Sequence, residues 1–196
     1  MTESLSQATR NAPSPRAARR TLLLIAAIGI APIVASYTAY YLWPRQARVN
    51  YGELLSTRPA PPIEGVRTDG RPFRLEHLRG RWVLLMSSPA RCDAICERML
   101  YATRQARTIQ GGEQDRVARV WLVTGEGEAP PALLAQHPGL EAVRIAEAAQ
   151  ANLSTSDGRI YLIDPLGNWV LAWPADPDIK ALAKDLGRVL RASQIG

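Results

Sequence analysis

The chain has 196 residues, 46% hydrophobic and 21% charged, enough apolar content to pack one domain with attachments. Its net charge of +6 is concentrated near the N-terminus: residues 1–48 carry six Arg and one Glu, and the remainder carries 18 basic and 17 acidic residues. A nucleic-acid-binding domain keeps its basic excess on the folded part, so that class of partner is excluded.

Residues 1–20 are polar, rich in Ser and Arg, and are expected to form a disordered tail. Residues 21–43, Thr21 to Trp43, contain no charge. As a helix they reach about 34 Å, enough to cross a hydrocarbon layer of roughly 30 Å. Arg16, Arg19 and Arg20 precede the run, and Tyr37, Tyr40, Tyr41 and Trp43 crowd its far end. Basic residues mark the cytoplasmic side of a span and aromatic residues its interfaces. The expectation is a single-pass protein of the bacterial inner membrane, its N-terminus cytoplasmic and its C-terminal domain periplasmic. A cleaved signal peptide is the competing reading, but the apolar run exceeds a usual h-region and no A-x-A site follows it. Pro32 is compatible with a membrane helix.

Residues 44–62 hold four prolines and read as a linker. The folded domain is expected over 63–196. A short strand is expected around Phe73, and Arg81 to Ser88, with five apolar residues in a row, reads as a buried central strand. The cysteine loop follows at once. "ICERMLYATRQARTI" reads as an amphipathic helix with Ile95, Met99 and Ala102 on its buried stripe. "RVARVWLVTG" reads as a second core strand, "PPALLAQHPG" as a short helix and "EAVRI" as a short strand. "RIYLIDPLGNWVLAWP" predicts a hairpin whose turn is Asp164-Pro165-Leu166-Gly167. "DIKALAKDLGRVLRAS" closes the chain as a helix with Asp178 near its start. This order predicts an α/β fold, a mixed sheet with helices on both faces. A cysteine pair between the first core strand and its helix is the thioredoxin-like arrangement.

Cys92 and Cys96 are the chain's two cysteines. Three roles are open to them: a structural disulfide, a redox pair, or part of a metal site. Within one regular helix, residues at this spacing have Cβ atoms about 6 Å apart, too far for the roughly 3.8 Å of a disulfide. If Cys92 lies in the loop and Cys96 in the first helical turn, the pair becomes bridgeable and readily opened. Closing so short a loop adds little stability, which favours chemistry over stapling. Helix N-terminal amides stabilise a thiolate there. Cys92, at the exposed end, is then the attacking thiol and Cys96 the resolving one. Two thiolates suit Cu(I), whereas a site that also holds Cu(II) wants an imidazole. The chain's two histidines, His77 and His137, both read as exposed. Met86 and Met99 read as core residues. Asp93 and Glu97 read as solvated charges beside the cysteines, and Asp164 as the cap of its turn.

The N-terminal apolar segment, "LRGRWVLLMSS", Cys92-x-x-x-Cys96 and "IYLIDPLGNWVLAW" together resemble the SCO/SenC family, membrane-anchored thioredoxin-fold proteins of cytochrome c oxidase assembly. The resemblance covers residues 60–192. It implies a protein that assists biogenesis of the oxidase copper centre through its thiol pair, with an oxidase subunit or other assembly factors as partners. It also implies copper on Cys92 and Cys96, completed by a His shortly before the "YLIDP" strand. At that place this sequence has Ser156, with Thr155, Ser154 and Asn152 nearby, and Glu97 stands where the family usually has Pro. A two-thiolate set holds Cu(I) but binds Cu(II) poorly. Two alternatives accompany this reading: a periplasmic thiol-disulfide oxidoreductase without a copper role, and a non-catalytic docking partner of a respiratory complex.

Overall fold

A computed structural model describes residues 15–42, 50–147, 158–193 and 195. It divides into two compact units, Met1–Arg48 and Val49–Gly196. Among its described residues the first holds one helix, α1 (Pro15–Leu42), which carries Pro32 and begins within the tail expected over residues 1–20, residues 1–14 lying outside the described ones. Its segment Ala18–Leu42 has a mean hydropathy of 2.1 and is long and apolar enough to cross a membrane. Its large apolar side chains, Leu22 through Val34, are exposed within the chain itself, as a helix surrounded by lipid requires.

The second unit is an eight-stranded mixed sheet. Its strands are β1 (Glu53–Leu54), β2 (Glu64–Arg67), β3 (Pro72–Arg74), β4 (Trp82–Pro89), β5 (Val117–Thr124), β6 (Leu140–Arg144), β7 (Ile160–Ile163) and β8 (Trp169–Trp173). They lie in the order β1-β8-β7-β4-β5-β6-β2-β3. β4, β5 and β6 run parallel, and the remaining pairings are antiparallel. Among the described residues its α-helices are α2 (Ala94–Ile109), α3 (Pro131–Ala135) and α4 (Ile179–Ala192). The parallel strands are buried on both sides, which is why they read as continuous apolar runs.

The period of two along β4 sorts its side chains between two cores. Trp82, Leu84 and Met86 pack with Met99, Leu100, Trp121, Leu182 and Leu186 under α2 and α4. Val83 and Leu85 pack on the opposite face with Phe73, Leu75, Leu78, Val120, Leu122 and Trp169. Among the described residues, that second face is covered by a 3-10 helix, Leu75–Leu78, and its flanking chain. The "DPLG" turn is built as expected: the Asp164 carboxylate accepts from the amides of Leu166 and Asn168 at 2.9 and 2.7 Å, and Gly167 adopts φ of 92°. Asp178 caps α4 by accepting from Ala181 N at 3.0 Å.

Three expectations are corrected. The linker expected over residues 44–62 is fixed to the domain from Asn50 onward, so the compact unit begins near Val49 rather than at Ile63. β1 pairs with β8, Leu55 N donates to Val170 O at 2.9 Å, and Ala60 N donates to Gly167 O at 2.9 Å. The cause is the open edge of β8, whose backbone groups need partners and accept a proline-containing segment as an edge. Gly52 is held against Trp173, where a Cβ would lie 2.5 Å from the indole nitrogen. The carboxylate of buried Asp185 accepts from Gly52 N at 2.8 Å and from Trp173 Nε1 at 3.2 Å.

Second, Ile95 is 45% exposed. The buried arc of α2 is Cys96, Met99, Leu100, Ala102, Thr103 and Ala106. The helix presents its 96, 99, 103 and 106 positions to the sheet, which turns Ile95 to the rim. Third, His137 is buried, not exposed: it is 5% exposed in the loop between α3 and β6, beside Arg119, which is 1% exposed. Arg119 donates through Nη2 to Pro138 O at 2.5 Å, but its Nε and Nη1 have no partner among the described residues. Burial, with Arg107 and Arg104 close by, pushes the Arg119 guanidinium down to about 10.

A buried charge without a counter-charge is destabilising, and well-packed apolar replacements are neutral or better. Arg119→Met is therefore expected to stabilise the fold by about 1–3 kcal/mol. The measurement is denaturant unfolding of the full chain in detergent, and a lower midpoint for the variant would refute it.

Candidate redox site

β4 delivers the chain to the site. After Pro89 the backbone turns tightly: Ala90 N donates to Thr124 O at 3.3 Å, and Cys92 N donates to Ala90 O at 2.9 Å. Asp93 then starts α2. In extended conformation at the N-cap, it accepts from Ile95 N at 3.1 Å and from Cys96 N at 2.9 Å through Oδ1. Two of the unpaired amides of the first turn are thereby satisfied. Asp93 is thus a structural cap, where the sequence had offered a solvated charge.

This cap places Cys92 before the helix and Cys96 within its first turn. The two Cα atoms are 5.2 Å apart, and the sulfurs are joined in a disulfide. Cys92 is half-buried, while Cys96 is 2% exposed and belongs to the core under α2. Ser88, at the end of β4, donates its hydroxyl to Cys96 Sγ at 3.0 Å, and its carbonyl accepts from Trp121 Nε1 at 3.3 Å. The rim is charged and exposed: Arg91, Asp93, Glu97 and Arg98, the last facing Asp176 at 3.6 Å. A half-buried cysteine is thus joined to a buried one at the junction of a core strand and a helix.

A family model described as "Transmembrane-like, thioredoxin-like, C-terminal domain" matches residues 82–193, a stretch containing β4, both cysteines and the β7–β8 hairpin. The chain belongs to this family. No curated protein matches it. Among solved structures, it is similar to copper-bound ScoI of Bradyrhizobium japonicum at 20% identity, with a TM-score of 0.54, over 67% of this chain and 99% of that one. It is similar to copper-bound ScoI of Arabidopsis thaliana at 17% identity, with a TM-score of 0.61, over 69% of this chain and 100% of that one. The thioredoxin domain of a thiol-disulfide oxidoreductase from Bacteroides vulgatus is also similar, at 17% identity with a TM-score of 0.56, over 69% and 99% of the two chains. These likenesses establish the thioredoxin-like fold.

In this member of the transmembrane-like, thioredoxin-like family, neither histidine approaches the sulfurs. His77 is exposed on the 3-10 helix that precedes β4, the length of that strand away, about 23 Å. His137 lies beside Arg104 and Arg119. Arg104 follows Cys96 by eight residues on α2, a rise of about 12 Å. Arg119 lies four residues from Val123, the register partner of Ser88, about 13 Å along the sheet. Both routes hold His137 far from the disulfide. Among the described residues, no three His, Cys, Asp or Glu side chains gather into a metal-binding group. Ser156, Thr155, Ser154 and Asn152 lie outside the described residues. Met86 and Met99 are core residues, 1% and 2% exposed, and Glu97 is exposed on α2.

The residues that reasoning from sequence missed are Ser88 and Trp121. The signal for Ser88 was present: it follows Trp82, Leu84 and Met86 at even spacing and so shares the face that α2 covers.

Two outcomes are expected here. Asp93→Ala removes the cap and should destabilise the fold by about 1 kcal/mol, whereas Asp93→Asn, which still accepts from the amides, should retain most of it; denaturant unfolding separates the two. His137 supplies the second. Burial first, then Arg104 and Arg119, lower its pKa from the ordinary 6.5. Just below that pH the folded chain binds fewer protons than the unfolded chain, so stability is full above it and falls as pH drops through the window. His137→Gln should flatten this dependence between about pH 5 and pH 7, and an unchanged slope would contradict the assignment.

Proposed function

We propose that this protein is a membrane-anchored thioredoxin-fold factor that serves respiratory oxidase biogenesis by thiol–disulfide exchange at Cys92 and Cys96. The observation that carries the reading is the bridged pair itself, half-exposed Cys92 joined to buried Cys96 at the start of α2. In this role a partner's thiolate attacks Cys92 Sγ, the exposed end of the bridge, and a mixed disulfide forms. Reduction leaves a dithiol that can reduce a partner's disulfide in return. The N-terminal helix anchors the domain, its basic flank in the cytoplasm and the sheet in the periplasm. Support for the oxidase pathway comes from the likeness to copper-bound ScoI structures and from the family resemblance in the sequence.

Copper, on this reading, is cargo. The reduced pair offers two soft thiolates, which fit Cu(I). Among the described residues no His, Asp or Glu joins them in a metal-binding group, so Cu(II) is held weakly. A copper-free oxidoreductase is the second reading, favoured by the likeness to the Bacteroides vulgatus domain and by the pairing of the sulfurs with each other.

Complementation of a deletion strain tests the proposal. Cys92→Ser and Cys96→Ser should each fail to restore assembled oxidase, measured as haem and copper content of membranes and as oxygen uptake. Wild-type oxidase levels with both variants would refute it. Titration of the reduced full chain then separates the readings: Cu(I) uptake lost in either variant supports the cargo role, and a tight Cu(II) complex contradicts the ligand count given above.

A further inference from the structure

The buried sulfur would be a poor leaving group if nothing favoured its charge. Cys96 is 2% exposed among Met99, Leu100 and Trp121, and burial in apolar surroundings disfavours a thiolate. Its position in the first turn of α2 helps less than the helix dipole alone would suggest. Asp93 occupies the cap, takes the amide of Cys96, and places a carboxylate beside it. A neighbouring negative charge again opposes the thiolate.

One group acts in the other direction. Alternation along β4 carries Trp82, Leu84 and Met86 into the core under α2, and the next residue on that face is Ser88. It is 8% exposed, and its hydroxyl donates to Cys96 Sγ at 3.0 Å. The strand end that carries it is fixed by the bond from Trp121 Nε1 to the Ser88 carbonyl. A hydroxyl donor to a sulfur becomes a charge-assisted bond when that sulfur is ionised.

Resting on the exchange reading above, we propose that Ser88 is a positioning residue that makes Cys96 the leaving sulfur of the disulfide. An attacking thiolate forms a bond to Cys92 Sγ. The Cys92–Cys96 bond breaks, and its electron pair leaves on Cys96, where the Ser88 hydroxyl receives the charge. The attacking molecule and Cys92 are then joined in a mixed disulfide. The second thiolate of a dithiol attacks its own sulfur in that mixed disulfide and releases Cys92 as a thiolate. The dithiol is oxidised to a disulfide, the protein pair is reduced by two electrons, and the thiolates take up protons from solvent according to pH.

The probe is dithiothreitol, applied to the oxidised full chain in detergent micelles. Ser88→Ala deletes the hydroxyl and keeps the carbonyl that holds Trp121. It should shift the equilibrium with dithiothreitol about tenfold toward the protein disulfide, which is about 30 mV for a two-electron couple. It should also slow reduction of the disulfide. Ser88→Thr keeps the hydroxyl and should stay within about twofold of wild type on the same scale. Thermal unfolding of each variant confirms that it is folded. A folded Ser88→Ala chain with wild-type equilibrium and rate overturns the proposal, and so does a folded Ser88→Thr chain that matches Ser88→Ala. A wild-type disulfide that resists a large excess of dithiothreitol overturns the exchange reading itself, so the two failures are distinguishable.

Discussion

The cap made by Asp93 is the constraint from which the site follows. Its carboxylate takes the amides of Ile95 and Cys96, which forces the chain to become helical at Ala94 and not earlier. A start two residues sooner would put both cysteines in one regular helix, with Cβ atoms too far apart to bridge. With the cap at Asp93, Cys92 remains in the tight turn after β4, and the Cα separation falls to 5.2 Å. The same residue therefore begins the helix, permits the disulfide and leaves Cys92 as the less buried of the two cysteines.

The sheet supplies the other half of the arrangement. β4 and β5 are central, parallel and buried on both faces, so their carboxyl ends lie at a position fixed by two cores at once. In open sheets of this kind chemistry belongs outside those ends, and here the cysteine loop leaves β4 there while Thr124 at the end of β5 holds Ala90. The less favourable features lie elsewhere in the domain. Arg119 and His137, buried with unpaired nitrogens, sit toward the start of β5, roughly four residues' rise from the level of Ser88. Their electrostatic cost is thus separated from the level of Ser88 by about half of β5.

The fold was legible where a pattern had one physical explanation. Five apolar residues ending in a cysteine loop can be a core strand, and the Asp-Pro-Leu-Gly turn between β-branched and aromatic runs admits a hairpin. The site was legible as a pair but not as a geometry. The phase of α2 was misread because Ile95 is as apolar as the positions that are buried, and only the sheet decides which arc faces inward. The role of Asp93 was missed because its exposed position in the loop sequence fits a solvated charge equally well. His137 precedes a proline and was assigned to the surface on that ground, yet the loop between α3 and β6 folds it against Arg119. Proline content likewise suggested a free linker over 44–62, but β8 presents an edge, and its need for partners outweighs the poor strand propensity of the segment.

The donor set places a further limit on the chemistry. Ligand softness makes two thiolates adequate for Cu(I), and their deprotonation links metal capture to the reduced state of the pair. With His77 and His137 both remote from the sulfurs, the cargo reading would tie the oxidation state of the protein to that of the copper it carries. The disulfide form offers no thiolate, and the dithiol form offers ligands suited to the reduced metal. A family pattern that includes an imidazole can hold copper through a change in its oxidation state. On the exchange reading, the bond between Cys92 and Cys96 would carry the chemistry that a third ligand would otherwise share.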